Sequence, residues 1–270
     1  GRNDKKARMI LPEIDPVALQ IGPLAIRWYS LTWLAAFIGI YSLAKYRLKV
    51  FSTEQLSDLM FYGLLGAMLG GRAGYCFFYG IDQLIEDPLS LLRVWEGGLS
   101  FHGGLLGVLI AVYFLARSWG VRYFEILDFI APSVPLGLGV VRIGNFLNYE
   151  LLGRPTDQSW GVVFPSDPSG LLRHPSQLYQ AFSEGMLLLI FLLWIAKKPK
   201  PSMAVSSYFL IGYGTVRTVT EFFREPDAHI GFDAFNFLTR GQLLSIPMVL
   251  AGLLLLFFSY KLTRKNETIP

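Results

Sequence analysis

Charged residues are scarce in this 270-residue chain. Asp, Glu, Lys and Arg make up 16% of it, whereas hydrophobic residues make up 53% and aromatic residues 15%. A soluble domain carries about 25% charged residues. This deficit, with a mean hydropathy of +0.43, indicates an integral membrane protein rather than a large soluble core.

Cysteine and histidine are also rare, and both scarcities exclude classes of site. The single cysteine, Cys76, excludes an intramolecular disulfide and lies in an apolar run without a neighbouring base, which favours a packing role. The three histidines lack the spacing of a ligand set, so we expect no metal site. No basic stripe with interleaved aromatic residues is present, so nucleic acid is not an expected partner.

Long apolar runs are what the sequence has in place of charge. Each is near the roughly 20 residues that a helix needs to cross the hydrocarbon core. They predict an all-α integral membrane protein with about seven transmembrane helices. The predicted segments are 24–44, 57–79, 98–117, 126–147, 177–196, 203–222 and 241–260.

The domain prediction follows from these segments. Residues 1–8 (GRNDKKAR) are polar and precede Met9, so we expect them to be a remnant of expression. One polytopic transmembrane domain then covers 9–270. Residues 149–177 form the longest external connection and are rich in Gly and Pro, which predicts a small irregular periplasmic cap.

The distribution of basic residues predicts the orientation. Lys and Arg cluster in alternate connections, which should therefore be cytoplasmic, while most acids fall in the opposite ones. The N-terminus is then periplasmic and the C-terminus cytoplasmic. The basic residues are Lys45, Arg47, Lys49, Arg117, Arg122, Lys197, Lys198, Lys200, Lys261, Arg264 and Lys265.

Ionisable groups inside membrane spans are costly and usually functional, and three arginines of the predicted spans stand out, Arg72, Arg142 and Arg217. Arg217 follows Tyr213 and precedes Glu221 at four-residue steps, so the three share a helix face, and Glu221 can hold the guanidinium of Arg217. Arg142 is expected to converge with Arg217 on a phosphate, which guanidinium groups bind bidentately. For Arg72 two roles stay open: it forms a buried structural ion pair, or it binds an anion.

Polar residues also follow Arg142 at helical spacing. Asn145 and Tyr149 complete an i, i+3, i+7 pattern, and Gly144 leaves room for a close approach to Asn145. The expected site is therefore a polar face at the periplasmic end of this span.

His102 is the candidate for proton transfer, because imidazole suits that task near neutral pH. It lies between Gly97-Gly98 and Gly103-Gly104, which we interpret as space around the ring, since no packing reason for four glycines is evident. Tyr29 is either an interfacial aromatic residue or part of the site. Gly63, Gly66, Gly70 and Gly74 predict a small-residue packing face.

Four segments together resemble one known family. These are GVVRIGNFLNYELLGRPT (139–156), LRVWEGGLSFHGG (92–104), RHPSQLY (173–179) and GYGTVRTVTEFFREPD (212–227). With the opening PEIDPVALQIGPLAIRWYS (12–30), they resemble the prolipoprotein diacylglyceryl transferase family, in order and from Met9 onward.

The resemblance implies an inner-membrane enzyme that acts on two membrane-bound substrates. Its members move the diacylglyceryl group of phosphatidylglycerol to the lipobox cysteine thiol in the signal peptide of a preprolipoprotein and release glycerol-1-phosphate. This is the first step of bacterial lipoprotein maturation, and no metal or organic cofactor is implied. The positions that match residues essential or important in the family are Tyr29, His102, Arg142, Asn145, Glu150, Gly153, Tyr213, Arg217 and Glu221.

The residues suggest roles consistent with this reaction. Arg142 and Arg217 would bind the phosphodiester and stabilise the charge that grows on the leaving group. His102, with Tyr29 or Tyr213, would accept or relay the thiol proton. Glu221 would position Arg217, and we expect lipid-headgroup contacts from Arg72, Asn145, Glu150 and Gly153.

Two other classes of function remain open from the residues alone. A transporter or flippase for an anionic lipid shares the buried arginines but predicts polar residues across the full membrane depth, whereas the inner halves here are apolar apart from Asp128. A structural subunit of a larger complex has no use for the polar clusters. Transfer of labelled lipid to a lipobox peptide distinguishes the three.

Overall fold

The computed structural model describes residues 8–226, 232–234 and 238–267, with side chains for 8–226 and 242–265. Of the predicted remnant, only Arg8 lies within the described residues. The chain divides into two compact units, which we call the larger unit (residues 1–40 and 131–270) and the smaller unit (41–130).

The described chain is mostly helical. The α-helices are α1 (Trp28–Tyr46), α2 (Thr53–Phe78), α3 (Ile81–Glu86), α4 (Phe101–Trp119), α5 (Tyr123–Ile130), α6 (Val134–Leu147), α7 (Ser176–Gln180), α8 (Leu188–Ile195), α9 (Ala204–Thr220) and α10 (Arg240–Glu267). A π-helical segment, Ala181–Leu187, continues α7 into α8. Short 3-10 turns at Pro88–Leu92, Val94–Glu96, Ala131–Ser133 and Glu221–Phe223 connect or end helices.

Small β-pairs lie outside the helices. They are the parallel pair β1 (Met9–Ile10) with β4 (Val162–Val163), the hairpin β2 (Val17–Ile21) with β3 (Leu24–Arg27), and the antiparallel pair β5 (Phe232–Ala234) with β6 (Leu238–Thr239). The first predicted segment therefore starts too early, because Leu24–Arg27 is a strand. A short apolar run does not distinguish strand from helix.

Four helical segments of the described chain are long and apolar enough to cross a membrane. They are Phe101–Trp119, Tyr123–Leu147, Ser176–Ile195 and Gln242–Lys265. The other three predicted segments coincide with α1, α2 and α9, so a total of seven spans stays a prediction. The periplasmic position of residues 149–177, called the long connection below, also stays a prediction.

Glycines set the packing of α2 on α4 in the smaller unit. A Cβ atom at Gly66 or Gly70 would collide with the backbone of Gly107 or Gly103, and one at Gly74 would lie 3.0 Å from Ser100 Cβ. The predicted small-residue face is confirmed at these three positions. It is wrong at Gly63, where an added Cβ atom would have no described atom within 4 Å.

In the larger unit, α6 packs on the π-helical segment at another close approach. A Cβ atom at Gly185 would lie 2.7 Å from the Cα atom of Gly139. Leu188, Leu192 and Tyr213 form a buried cluster that joins α8 to α9. This packing brings the polar faces of α6, the π-helical segment and α9 together.

Candidate active site

A buried carboxylate joins the two predicted arginines. Glu184, in the π-helical segment, is 0% exposed. Its Oε2 accepts a hydrogen bond from Arg142 Nε at 3.1 Å, and its Oε1 lies 3.5 Å from Arg217 Nη1. The arginine side chains are only 14% and 15% exposed. Arg142 and Arg217 therefore converge, as their sequence context predicted.

The end of α9 and the 3-10 turn that follows it supply the rest of this cluster. Arg217 Nη2 lies 3.0 Å from Glu221 Oε1, and Arg224 Nη1 lies 3.3 Å from the same oxygen. The predicted pairing of Glu221 with Arg217 is confirmed. Tyr213 is 8% exposed and interacts electrostatically with Glu184, Arg217 and Arg142.

Asn145 and Glu150 form a second polar group at the end of α6. Asn145 Nδ2 donates to Glu150 Oε1 at 2.9 Å, and the Glu150 N–H donates to the Asn145 carbonyl at 3.2 Å. Gln177 Nε2 donates to the Glu150 carbonyl at 2.7 Å. These bonds fix the Glu150 backbone and side chain between α6 and α7.

The backbone on both sides of Glu150 is left-handed. Tyr149 has φ 50° and Leu151 has φ 54°, a conformation that costs a non-glycine residue on the order of 1–3 kcal/mol and is often found at functional sites. The Tyr149 hydroxyl donates to the Pro12 carbonyl. The predicted shared face of Arg142, Asn145 and Tyr149 is therefore wrong at Tyr149, because α6 ends at Leu147 and helical spacing no longer applies.

Gly153 packs the long connection against the backbone that follows α9. It forms an antiparallel bridge with Arg224, and a Cβ atom there would collide with the His174 carbonyl. The Arg154 guanidinium donates to the carbonyls of Arg224 and Glu221 at 2.8 and 3.1 Å. Gly153 therefore acts by allowing a close backbone approach.

Tyr29 is half-buried in the first turn of α1. One turn later, Thr32 contacts α6 so closely that a Cβ atom at Gly144 would collide with its side chain. Because Gly144 precedes Asn145, this contact brings the start of α1 to the α6 end that carries the polar residues.

Arg72 lies in the smaller unit and is 2% exposed. Its Nε and Nη2 donate to the Ser90 carbonyl at 3.1 and 2.7 Å, and its Nη1 donates to the Gly97 carbonyl. These contacts favour a role in holding the segment between α3 and α4. Binding of lipid by Arg72 stays a prediction.

His102 lies in the first turn of α4, also in the smaller unit, and is exposed. Our interpretation of its neighbouring glycines was wrong. Gly97 and Gly98 have φ of 81° and 79°, which favours glycine, and Gly103 packs against the backbone of Gly70. The glycines therefore have backbone and packing reasons, and the case for His102 rests on imidazole chemistry and the resemblance.

Several buried polar atoms around the arginines have no hydrogen-bond partner among the described residues. They are Asn145 Oδ1, Gln177 Oε1 and both amide atoms of Gln180, together with Arg217 Nη1 and Glu184 Oε1, which face each other as an ion pair at 3.5 Å. Buried polar groups are normally satisfied, so these atoms leave capacity for a polar ligand. The guanidinium groups suit an anion, and the neutral amides suit hydroxyl groups.

Sequence reasoning missed Gln177, Gln180 and Glu184. The signal was present, because they occur at i, i+3 and i+7 in an otherwise apolar segment and so share one helix face. Glu184 is itself an ionisable residue inside a predicted span, which was sufficient reason to single it out.

A separate cavity of about 1590 Å³ lies on the long connection, and its lining includes Trp160, Leu172, His174 and Phe223. Burial lowers the pKa of His174 below its ordinary value, and its Nδ1 lies 3.0 Å from the Tyr179 hydroxyl. The lining contains none of the predicted site residues. The converging charges therefore make the Glu184 cluster the candidate active site.

Comparison with known proteins identifies the family. The family model "Prolipoprotein diacylglyceryl transferase" matches residues 16–258. Proteins named phosphatidylglycerol–prolipoprotein diacylglyceryl transferase are 52% identical in Acinetobacter baumannii (strain SDF), over 93% of this chain and 94% of the relative, and 51% identical in Acinetobacter baylyi with the same coverage. One from Teredinibacter turnerae is 50% identical over 96% of this chain and 95% of the relative. The chain belongs to the prolipoprotein diacylglyceryl transferase family.

Proposed function

We propose that this protein transfers the diacylglyceryl group of phosphatidylglycerol to the lipobox cysteine thiol of preprolipoproteins and releases glycerol-1-phosphate. The reaction is the first step of lipoprotein maturation and takes place in the bacterial inner membrane. The observation that carries the proposal is the convergence of Arg142 and Arg217 on the buried Glu184. The names of the relatives specify the same two substrates.

The arginine pair suits the phosphodiester of the donor lipid. Arg142 and Arg217 share one carboxylate, and among the described residues Arg217 Nη1 has no hydrogen bond. A phosphate oxygen can accept a hydrogen bond from that donor, and the geometry of a guanidinium group matches two phosphate oxygens at once. Because the side chains are almost enclosed, each bond is stronger than it would be in water.

The proposed chemistry is a displacement at carbon. The cysteine thiolate attacks the diacylglyceryl carbon bonded to the phosphate oxygen, a C–S bond forms, and the C–O bond breaks with its electron pair on the departing glycerol-1-phosphate. The leaving group thereby gains a second negative charge, which Arg142 and Arg217 would stabilise. His102 would accept the thiol proton, directly or through Tyr29 or Tyr213.

The other residues would bind or position the headgroup. Asn145 and Glu150 would orient its glycerol, and Gly153 would allow the backbone to approach it. Glu221 would hold Arg217 through their 3.0 Å ion pair. Arg72 would contribute a lipid contact.

The proposed setting is a single polytopic domain over residues 9–270 with about seven transmembrane helices. The N-terminus and the long connection would be periplasmic, with the latter as a small cap, and the C-terminus cytoplasmic. This orientation is supported by the alternation of basic and acidic connections.

Lipid transfer in purified micelles tests the proposal directly. Phosphatidylglycerol labelled in its acyl chains should transfer label to a peptide with a lipobox cysteine, and unlabelled glycerol-1-phosphate should appear in equal amount. A peptide with serine in place of that cysteine is the control and should remain unlabelled. Transfer to the serine peptide, or no transfer to the cysteine peptide, contradicts the proposal.

Arg142→Lys tests the role of the guanidinium. Lysine keeps the charge but lacks the planar guanidinium fork that can hold Glu184 through Nε and two phosphate oxygens through its other N–H groups. We expect kcat/KM for lipid transfer to fall about a hundred- to a thousandfold. Arg122→Lys, at an exposed ion pair with Glu125, is the matched control and should retain activity. Near-normal transfer by Arg142→Lys would contradict bidentate binding of the phosphate by Arg142.

A further inference from the structure

Two glutamines are buried on the helix face that carries Glu184. Gln177 and Gln180 are both 0% exposed. In the part of the chain that the structure describes, neither amide atom of Gln180 has a hydrogen-bond partner, and Gln177 Oε1 has none although its Nε2 donates to the Glu150 carbonyl. Two long amide side chains are thus enclosed with most of their hydrogen-bonding capacity unused.

The packing of α6 on α7 and the π-helical segment locates Gln180. The two stretches run in opposite directions, because Gly139 contacts Gly185, Arg142 contacts Glu184, and Glu150, just after α6, contacts Gln177. Gln180 falls between Glu184 and Gln177 on the same face. It therefore lies at the level between the arginine pair and the Asn145–Glu150 pair.

The chemistry of an amide limits the kinds of ligand that these glutamines can bind. A carboxamide has two N–H donors and an acceptor oxygen, and it is neutral. A hydroxyl group is its complement, because a hydroxyl both donates and accepts. An unpaired buried amide is costly, so a bound polyol would remove that cost by pairing with it. Asn145 Oδ1, buried and without a described partner, can accept from the same ligand.

We propose that Gln180, together with Gln177 and Asn145, binds the free hydroxyl groups of the donor lipid's headgroup and thereby determines which phospholipids are used. This inference rests on the proposed function, because it places the hydroxyls next to the phosphate on Arg142 and Arg217. The site takes a lipid with a hydroxylated headgroup and discriminates against one with the same charge and size that lacks hydroxyls.

A pair of donor lipids measures this discrimination. Phosphatidylglycerol and phosphatidylpropanol carry the same single negative charge and the same three-carbon headgroup, but the second has no hydroxyls. For the wild type, kcat/KM should favour phosphatidylglycerol by at least about a hundredfold, since rejecting a ligand that leaves buried polar groups unpaired is effective. In Gln180→Met, which keeps the side-chain length, this preference should fall by about tenfold.

Gln242→Leu is the matched control. Gln242 is also 0% exposed, but it lies on α10 and donates to the Thr218 carbonyl at 3.2 Å. Its removal should lower the unfolding temperature without changing the ratio of kcat/KM values for the two lipids. Gln180→Met should not lower the unfolding temperature of the lipid-free protein, because it removes an amide without described partners.

The outcomes separate the two proposals. If the wild type transfers label from neither lipid, the proposed function fails. If it transfers from both lipids equally, or if Gln180→Met and Gln242→Leu change the preference to the same extent, the headgroup inference is overturned and the function stands. The wild-type ratio alone decides the inference if Gln180→Met does not fold.

Discussion

At the scale of single residues, Glu184 is the group on which the candidate site depends. It is fully buried between Arg142 and Arg217, and it is the one carboxylate that contacts both among the side chains described. Removing one partner of a buried ion pair costs about 3–5 kcal/mol, and here it would leave Arg142 without its described carboxylate while Arg217 keeps Glu221. Glu184→Gln should therefore lower the free energy of unfolding by about that amount and abolish lipid transfer.

Thermal unfolding in micelles measures this effect, with Glu125→Gln as the matched control. Glu125 pairs with Arg122 on the surface, where the arginine is 73% exposed, and such pairs contribute about 0–1 kcal/mol. Equal stability of the two variants would show that Glu184 does not hold the arginines.

Asp167 makes the stability of the long connection depend on pH. Burial opposes ionisation of this residue, but hydrogen bonds from Arg173 and Ser169 outweigh it and hold the pKa of Asp167 below its ordinary value, which is about 3.9 for aspartate. The stabilisation is therefore fully present above that ordinary value and is lost as pH falls through the lowered pKa.

Unfolding temperatures between pH 7 and pH 2 test this linkage. The advantage of wild type over Asp167→Asn should be constant near neutrality and disappear on acidification. Asp157→Asn, at an exposed position in the same connection, should match wild type throughout. An advantage that persists at the lowest pH contradicts the assignment.

Contacts within one helical segment could be predicted from the sequence, whereas most contacts between segments could not. Glu221 was found as the partner of Arg217 because it directly follows α9 in αR conformation, so the four-residue step of a helix still determines the contact. The convergence of Arg142 and Arg217 followed from their chemistry. Gln180 and the role of Glu184 depend on which face of one helix packs against another, and spacing within a single segment does not contain that information.

At the scale of elements, the contact between α6 and the π-helical segment aligns Arg142 with Glu184. At its closest point, a methyl group on Gly185 would lie 2.7 Å from Gly139 Cα, and backbone atoms cannot move aside as a side chain can. Gly185→Ala should therefore separate the two elements, lower the free energy of unfolding by about 1–3 kcal/mol and reduce transfer.

Gly63→Ala is the control for this change. A Cβ atom at Gly63 has no described atom within 4 Å, so alanine should be neutral or stabilise α2 by up to about 1 kcal/mol. Unfolding temperatures of the two variants in the same micelles give the comparison. Gly185→Ala with a stability at or above that of Gly63→Ala would exclude a tight approach at this point.

The helices were easier to predict than their ends. Each long apolar run coincides with a helix because that length of hydrophobic sequence favours helical structure. The strand Leu24–Arg27 was missed, and the face drawn through Tyr149 continued helical spacing past α6, although the predicted segment 126–147 ends where α6 does, at Leu147. Both depend on local turns, at Gly22 with φ 57° and at Tyr149 with φ 50°, that apolar periodicity does not record.

At the scale of the whole molecule, the orientation in the membrane is the prediction with the widest consequence, because it determines which compartment supplies the peptide substrate. The chain has one cysteine, Cys76, which is 3% exposed, so Cys76→Ser provides a background for labelling. Asp157 in the long connection and Lys198 between α8 and α9 are both exposed. They lie in connections of opposite predicted side.

Cysteine substitutions at these two positions test the orientation with a membrane-impermeant maleimide. The excess of Lys and Arg in the connection that contains Lys198 predicts that it is cytoplasmic. Asp157→Cys should therefore be labelled in intact spheroplasts, whereas Lys198→Cys should be labelled only after the membrane is permeabilised. The opposite pattern would place the long connection, and with it Glu150 and Gly153, on the cytoplasmic side and would contradict the expected site at the periplasmic end of the spans.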